Sequence, residues 1–249
     1  MSGHSKWSTI KHKKAATDAR RGKMFSKILK EITVAARLGG ADPKGNPRLR
    51  TALLEAKSNS VPGDNIDRAI KKGTGELESA VYEEIVYEGY GPGGVAVLVE
   101  AATDNRNRTT AEIRHAFARN GGNLGESGCV AWMFNRRGYF AIDSGTMDEE
   151  KFMDLALELG ADDVAIEEDV YEIYTTMEDF VSVQEELERR GIPLAASELA
   201  MVPQTTIDVP RDKVSQVLRL VEALEDQDDA QKVWANLNID EKVLEEQSR

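Results

Sequence analysis

A single cysteine, Cys129, stands in 249 residues, which excludes an internal disulfide and any cysteine-cluster metal site. Histidine is nearly as scarce. His4, His12 and His115 are the whole complement, and no His-x-x-x-His pair falls on a segment that reads as a metal-binding helix. No apolar run approaches the ~18 residues of a membrane span, and the first residues lack the apolar stretch of a secretory signal. That beginning is basic and acid-poor, a composition shared with mitochondrial presequences. Gly, Pro and a helical pattern follow at once, however, so it reads as mature protein. A Walker loop and a Gly-x-Ser-x-Gly elbow are also missing. The stretch GYGPGG at 89–94 has the spacing of a dinucleotide fingerprint, but that motif must open a helix and VAVLVEA continues as a strand. Glu149, Glu150, Glu185, Glu186 and Glu188 sit on helix surfaces, where solvation accounts for them. No catalytic residue, cofactor or metal is assigned, and the expectation is a soluble cytoplasmic protein that is not an enzyme.

What is present is charge, unevenly divided. The formal net charge is -12, yet residues 1–75 hold 17 Lys and Arg against 6 Asp and Glu, and residues 76–249 hold 15 against 38. The front of the chain is therefore +11 and the rest -23. Binding responds to the local field, so this asymmetry argues for a polyanionic partner where the total would argue against one. The concentration is highest in GHSKWSTIKHKKAATDARRGK, residues 3–23, which carries seven Lys or Arg and one acid, Asp18.

The periodicity changes twice along the chain. Phe25, Ile28, Leu29, Ile32, Ala35 and Ala36 predict an amphipathic helix ending at Gly39-Gly40. Asn46-Pro47 supplies an N-cap and a first-turn proline for a second helix carrying Leu49, Ala52, Leu53 and Ala56. A third starts with Asp64 as N-cap and ends at Gly73. Strands are predicted at 81–90 and 95–103 around Gly91-Pro92-Gly93-Gly94. A helix opened by Thr109-Thr110-Ala111-Glu112 follows, then a strand at 128–134, where Cys129 reads as a buried, inert thiol. Residues 138–202 give βαββαβ, the ferredoxin-like order. A strand at 205–209, a helix at 211–225 and a strand at 231–238 remain. Joined to residues 80–134, they complete a second α+β sandwich. The fold class is thus α+β in three domains: a basic three-helix domain with its arm (1–79), a discontinuous ferredoxin-like domain (80–136 plus 204–249), and a second one inserted into it (137–203).

The candidate binding residues follow from the charge. Lys6, Lys11, Lys13, Lys14, Arg20, Arg21 and Lys23 lie within 18 residues, and such a segment gains affinity by releasing counterions from a phosphate backbone. His4 and His12 lie among them. Trp7 either stacks on an exposed base or docks on the helical bundle. Lys23, Lys27, Lys30 and Arg37 fall mostly off the apolar stripe, so that helix is expected to continue the basic surface. Arg106 and Arg108 precede the helix at 109, where free N–H groups favour an anion, and Arg114 lies further along it. The alternative is that these arginines pair with nearby Asp and Glu.

Several stretches together resemble the YebC/PmpR family: GHSKW at 3–7, IKHKKA at 10–15, DARRGK at 18–23, FSK at 25–27, NPRLRTAL at 46–53, EGYGPGGVA at 88–96, TDNRNRTTAEIRH at 103–115 and GGNLGESGCVAWMF at 121–134. The match is dense over residues 3–134. The resemblance implies three domains, a helical one and two of α+β type with the last inserted in the middle one. It also implies a cytoplasmic DNA-binding transcriptional regulator, while other members resemble ribosome-associated factors that keep translation moving through stretches such as consecutive prolines. A mitochondrial relative activates translation of cytochrome c oxidase. The expected partner is therefore nucleic acid, DNA or ribosomal RNA, with no membrane. A small effector held by the α+β domains is a third possibility that no sequence feature supports.

Overall fold

The computed structural model describes residues 18–240 and 243. Its helices are α1 (Asp18–Gly39), α2 (Pro47–Ser58), α3 (Gly63–Thr74), α4 (Arg106–Arg119), α5 (Glu149–Glu158), α6 (Phe180–Arg189) and α7 (Arg211–Glu225). Its strands are β1 (Glu83–Tyr90), β2 (Ala96–Thr103), β3 (Asn123–Leu124), β4 (Phe134–Asp143), β5 (Asp163–Ile166), β6 (Val170–Thr175), β7 (Ala196–Pro203), β8 (Ile207–Asp208), β9 (Ala230–Ala235) and β10 (Leu237–Asn238). The described residues divide into two compact units, 134–204 and the remainder. The fold is mixed α+β, a helical domain followed by sheet domains.

The apolar stripes of the first three helices meet in one core, Ile28, Ile32 and Ala35 against Leu49, Ala52, Ala56, Val61 and Ala69. Asn46 fixes the α1–α2 corner from both sides. Its Oδ1 accepts from the Leu49 amide at 3.1 Å, capping α2, while its Nδ2 donates to the carbonyls of Ala35 and Gly40 at 2.8 and 2.9 Å. The third helix starts a residue before the expected cap. Pro62 occupies the cap position, and Asp64 sits in the first turn, where its charge complements the helix dipole. It also runs past Gly73 to a left-handed cap at Gly75, φ 84°. Gly73 is needed for another reason: a Cβ there would lie 2.5 Å from the Thr33 carbonyl oxygen, so α3 crosses α1 at backbone contact.

The first sheet has the order β3-β1-β2-β9, antiparallel throughout. Val97, Val99 and Ala101 of β2 pack with Ile113 and Phe117 of α4 and with Val217, Leu220 and Val221 of α7. A two-stranded parallel ribbon, β8 with β10, accompanies it. The second sheet has the order β5-β6-β4-β7, again antiparallel. With its chain order of βαββαβ this is the ferredoxin-like plan. Phe140, Ile142, Tyr171 and Ile173 on one face pack with Phe152 of α5 and with Phe180 and Leu187 of α6. On its other face the fully buried Glu172 accepts from the Tyr139 and Tyr174 hydroxyls, at 3.1 and 2.6 Å. Burial first, then the Glu172 charge, pushes the Tyr139 hydroxyl far above the usual tyrosine range.

Two expected elements are moved. The helix expected from Thr109 begins at Arg106, because the Asn105 side chain is the cap and accepts from the Arg108 amide at 3.1 Å. The strand expected at 128–134 does not form before Phe134. Residues 125–133 are turn and 3-10 helix instead, because their amide groups are taken by a carboxylate described below.

Candidate nucleic-acid interface

Of the residues expected to meet nucleic acid, His4, Lys6, Trp7, Lys11, His12, Lys13 and Lys14 lie outside the described residues. Arg20 lies in the first turn of α1, and Arg21 follows it, exposed, its guanidinium 5.5 Å from the Phe25 ring centroid. The DARRGK stretch is therefore helix and belongs to α1.

The lysines further along α1 have other work. Lys23, Lys27 and Lys30 recur at i, i+4 and i+7 and so share one stripe. That stripe faces the carboxyl end of α7. Lys23 Nζ donates to the Asp226 carbonyl at 3.1 Å, Lys27 Nζ to the Glu225 carbonyl, and Lys30 Nζ to the Asp228 carbonyl at 3.1 Å. The last carbonyls of a helix lack intrahelical partners and carry the negative end of its dipole. Asp226, which caps α7, has right-handed helical angles; the lysine ammonium groups thus satisfy oxygens that a left-handed glycine cap would otherwise draw in. Lys23 and Lys27, expected to continue the basic surface, are thus both bonded to the end of α7.

Lys30 enters a denser knot. Its ammonium lies 2.8 Å from Asp229 Oδ1, with side chains only 13% and 7% exposed, and also donates to the Ala102 carbonyl at 3.1 Å. The other oxygen of Asp229 accepts from Arg108 at 2.6 Å, Thr109 Oγ1 at 2.7 Å and Thr103 Oγ1 at 3.1 Å. Burial alone would raise the Asp229 carboxyl, but these donors and the Lys30 charge outweigh it and hold the group well below its ordinary range. Arg108 bonds Asp104 as well, at 2.9 Å, and Arg106 pairs with Glu83 at 3.1 Å. Arg48 joins Glu31 and Glu84, each at 2.6 Å. Acid pairing, the alternative open to Arg106 and Arg108, is what the structure holds. Arg114 is different: exposed on α4, it has no ion-pair partner among the described residues.

One residue escaped sequence reading. Glu88, buried in β1, accepts from the amides of Gly128 at 2.6 Å, Val130 at 2.8 Å and Ala131 at 2.7 Å. Burial raises a carboxyl, but the three amide donors prevail and the Glu88 pKa is lowered. The Gly125 amide bonds the Glu88 carbonyl at 2.8 Å, and Gly128 turns the chain at φ 88°. Cys129 is accordingly in a turn, half-buried, and burial together with the Glu88 charge raises its thiol pKa. The carbonyl of Cys129 accepts from the Tyr90 hydroxyl at 3.1 Å and the Trp132 indole at 3.2 Å.

No helix among the described residues is long and apolar enough to cross a membrane, and no group of three or more His, Cys, Asp or Glu among them is placed to hold a metal ion.

Residues 5–76 match the family model for the TACO1/YebC protein N-terminal domain, and residues 82–237 match that for the TACO1/YebC second and third domain. The chain is 57% identical over 247 residues to a probable transcriptional regulatory protein of Desulfotalea psychrophila, covering 99% of each. It is 56% identical to one of Geobacter sulfurreducens, over 98% of this chain and 99% of that one. The crystal structure of a conserved hypothetical protein from Aquifex aeolicus superposes with a TM-score of 0.84 at 50% identity, over 91% of this chain and 94% of that one.

Proposed function

The chain belongs to the TACO1/YebC family, and from that premise we propose that it is a cytoplasmic, nucleic-acid-binding regulator of gene expression, most directly a DNA-binding transcriptional regulator. The observation that carries this reading is the charge division, +11 over residues 1–75 against -23 beyond. The relatives' names, probable transcriptional regulatory proteins, support regulation. The contacts are His4, Lys6, Trp7, Lys11, His12, Lys13 and Lys14, continued by Arg20 and Arg21 at the head of α1, with Arg114 as a separate point on α4. The domain limits taken with it are 1–79, 80–136 plus 204–249, and 137–203. The second reading is a factor bound to ribosomal RNA that relieves stalling at stretches such as proline runs. A Trp and two His among closely spaced cations favour it, because irregular RNA offers unstacked bases.

Sedimentation of a lysate through sucrose, with and without ribonuclease, separates the two. Co-migration with ribosomes that is lost in Lys11→Glu/Lys13→Glu/Lys14→Glu would sink a purely transcriptional role. Nanomolar promoter binding that discriminates between sequences at physiological salt would sink the purely ribosomal one. Weak, unselective binding with a steep salt slope would reduce the reading to electrostatic attraction alone.

A further inference from the structure

We propose that Lys23 and Lys27 are latent phosphate-binding residues. The carboxyl end of α7 holds them in the free protein, and a nucleic-acid backbone arriving at the head of α1 takes its place, with Lys30 as the fixed end of the row. This rests on the nucleic-acid reading above and gives that site a second part, made available on binding. The spacing makes the row continuous: Lys23, Lys27 and Lys30 follow Arg20 at i+3, i+7 and i+10 along α1. The bonds that hold the row are graded. Lys23 is 48% exposed and lies 3.8 Å from the Asp226 carboxylate, itself 56% exposed. Lys27 is half-buried. Lys30 and Asp229, 2.8 Å apart, are 13% and 7% exposed. A strand neutralised at Arg20 therefore meets the weakest bond first and the strongest last. Among the described residues the core of the three helices and that of the first sheet share no member, and the bonds across the row are polar.

Magnitudes make the exchange feasible and reversible. The carbonyls that Lys23 and Lys27 meet belong to a helix end carrying about half a charge, and a cation there is worth about a 2- to 5-fold factor in an equilibrium constant. A phosphate carries a whole charge, and neutralising one is worth about 8-fold between 1 M and 0.1 M salt. Low salt therefore favours the phosphate and high salt the helix end. Glu225, Asp226, Asp228 and Asp229 crowd that end and repel a backbone, which confines its approach to the Arg20 side. The exchange also has a consequence for α7. Its cap residue Asp226 has right-handed angles, so departing lysines leave the last carbonyls to water. The closing turn, tied by the Asp226 amide to the Glu222 carbonyl at 2.9 Å and by the Gln227 amide to that of Leu224 at 3.2 Å, then opens more often.

The test uses the full chain with two fluorescein-labelled probes, a DNA duplex and an RNA hairpin, titrated by anisotropy over a series of salt concentrations. The tighter probe tells DNA from RNA. On it, Lys23→Gln and Lys27→Gln should each lower the salt slope by about one. Gln227→Gly changes no charge and offers α7 the left-handed cap it lacks, so it should ease the exchange and raise affinity by about 2- to 5-fold. Amide exchange at Asp226 and Gln227 should quicken in the complex. The Ala102 amide, bonded to the Asp229 carbonyl at the fixed end, should keep its protection. Slopes unchanged in both lysine variants, with exchange at the end of α7 unmoved by a bound probe, refute the proposal. If Lys11→Glu/Lys13→Glu/Lys14→Glu still abolishes that binding, the basic-arm reading stands without it. A parent that binds neither probe fails both.

Discussion

Replacing Asp229 by Asn keeps the shape of the side chain and removes the charge on which Lys30, Arg108, Thr109 and Thr103 converge. Arg108 is 45% exposed and keeps Asp104, so little is lost there. Lys30 is 13% exposed and would keep only carbonyl oxygens and the Tyr82 ring, 5.3 Å away. Removing one member of a buried pair costs about 3–5 kcal/mol, chiefly for the charge left behind. At ~2–4 °C per kcal/mol for a chain of this size, the unfolding midpoint of the unit should fall by roughly 6–20 °C. The chain has two compact units, so a global melt need not be two-state. Exchange of the Ala102 amide, which donates to the Asp229 carbonyl at 2.9 Å, reports the site itself. Lys30→Met and the double variant close a mutant cycle, and the pair should lose less than the sum of the singles. The pH dependence has a definite sign. The Asp229 pKa is depressed on folding, so its stabilisation is complete above the unfolded value of 3.8 and is lost as pH falls through the lower folded value. The gap between parent and Asp229→Asn should therefore be constant near neutrality and close in acid. A variant within about 0.5 kcal/mol of the parent at pH 7, below what even a surface contact can cost, would refute the account of Asp229 as the joint between α1, α4 and β9.

Glu88→Ala strips an ionised acceptor from three amides. At about 1.5–3 kcal/mol per charged bond, shared among neighbours, it should cost several kcal/mol and raise hydrogen exchange at Gly128, Val130 and Ala131; unchanged protection there would contradict the clamp. Because the Glu88 pKa is lowered on folding, its contribution should fade as pH drops below the ordinary glutamate value of 4.5, seen as converging denaturant midpoints for parent and variant. Arg106→Gln breaks a pair whose side chains are 64% and 54% exposed, and chemical denaturation should detect less than ~1 kcal/mol. Gly73→Ala forces a methyl against the Thr33 carbonyl and the Ala36 side chain, and by the same assay should destabilise by about 1–3 kcal/mol.

How far the sequence spoke depended on the distance over which each residue acts. The α1 stripe, the Asn46 cap and the βαββαβ order are local patterns, and they appear where the periodicity puts them. The Lys23, Lys27, Lys30 repeat was equally visible as spacing, but the oxygens it meets lie about 200 positions later, and nothing in a helical wheel tells solvent from the carbonyl end of another helix. Arg108 was ambiguous for the same reason: an arginine near a helix start serves an anion from outside as readily as Asp229 from within. Residues 128–134 were misread because CVAWMF is apolar enough for a strand, while the residue that forbids one, Glu88, sits 40 positions earlier. A signal for it did exist. GESG clusters turn-forming residues just before the apolar run.

The inward engagement of the α1 lysines changes what the charge division means. Residues 1–75 total +11, but Lys23, Lys27, Lys30, Arg37 and Arg48 are bonded to carbonyls, hydroxyls and carboxylates of the same unit. Cations held this way contribute to the field, but to neutralise a phosphate they must first give up these bonds. On the proposed reading, the free energy of phosphate neutralisation therefore concentrates in the residues ahead of them, where Lys6, Lys11, Lys13, Lys14, Arg20 and Arg21 accompany the single acid Asp18. The acids of the remainder act in two ways. A few, Asp229, Glu83 and Glu84 among them, bind the helices to the sheet. The many others would repel a phosphate backbone over the surface and so, on the proposed reading, restrict it to the basic end. A net charge of -12 and a nucleic-acid partner are then compatible, because the same acidic surplus that seems to forbid the encounter restricts where it can occur.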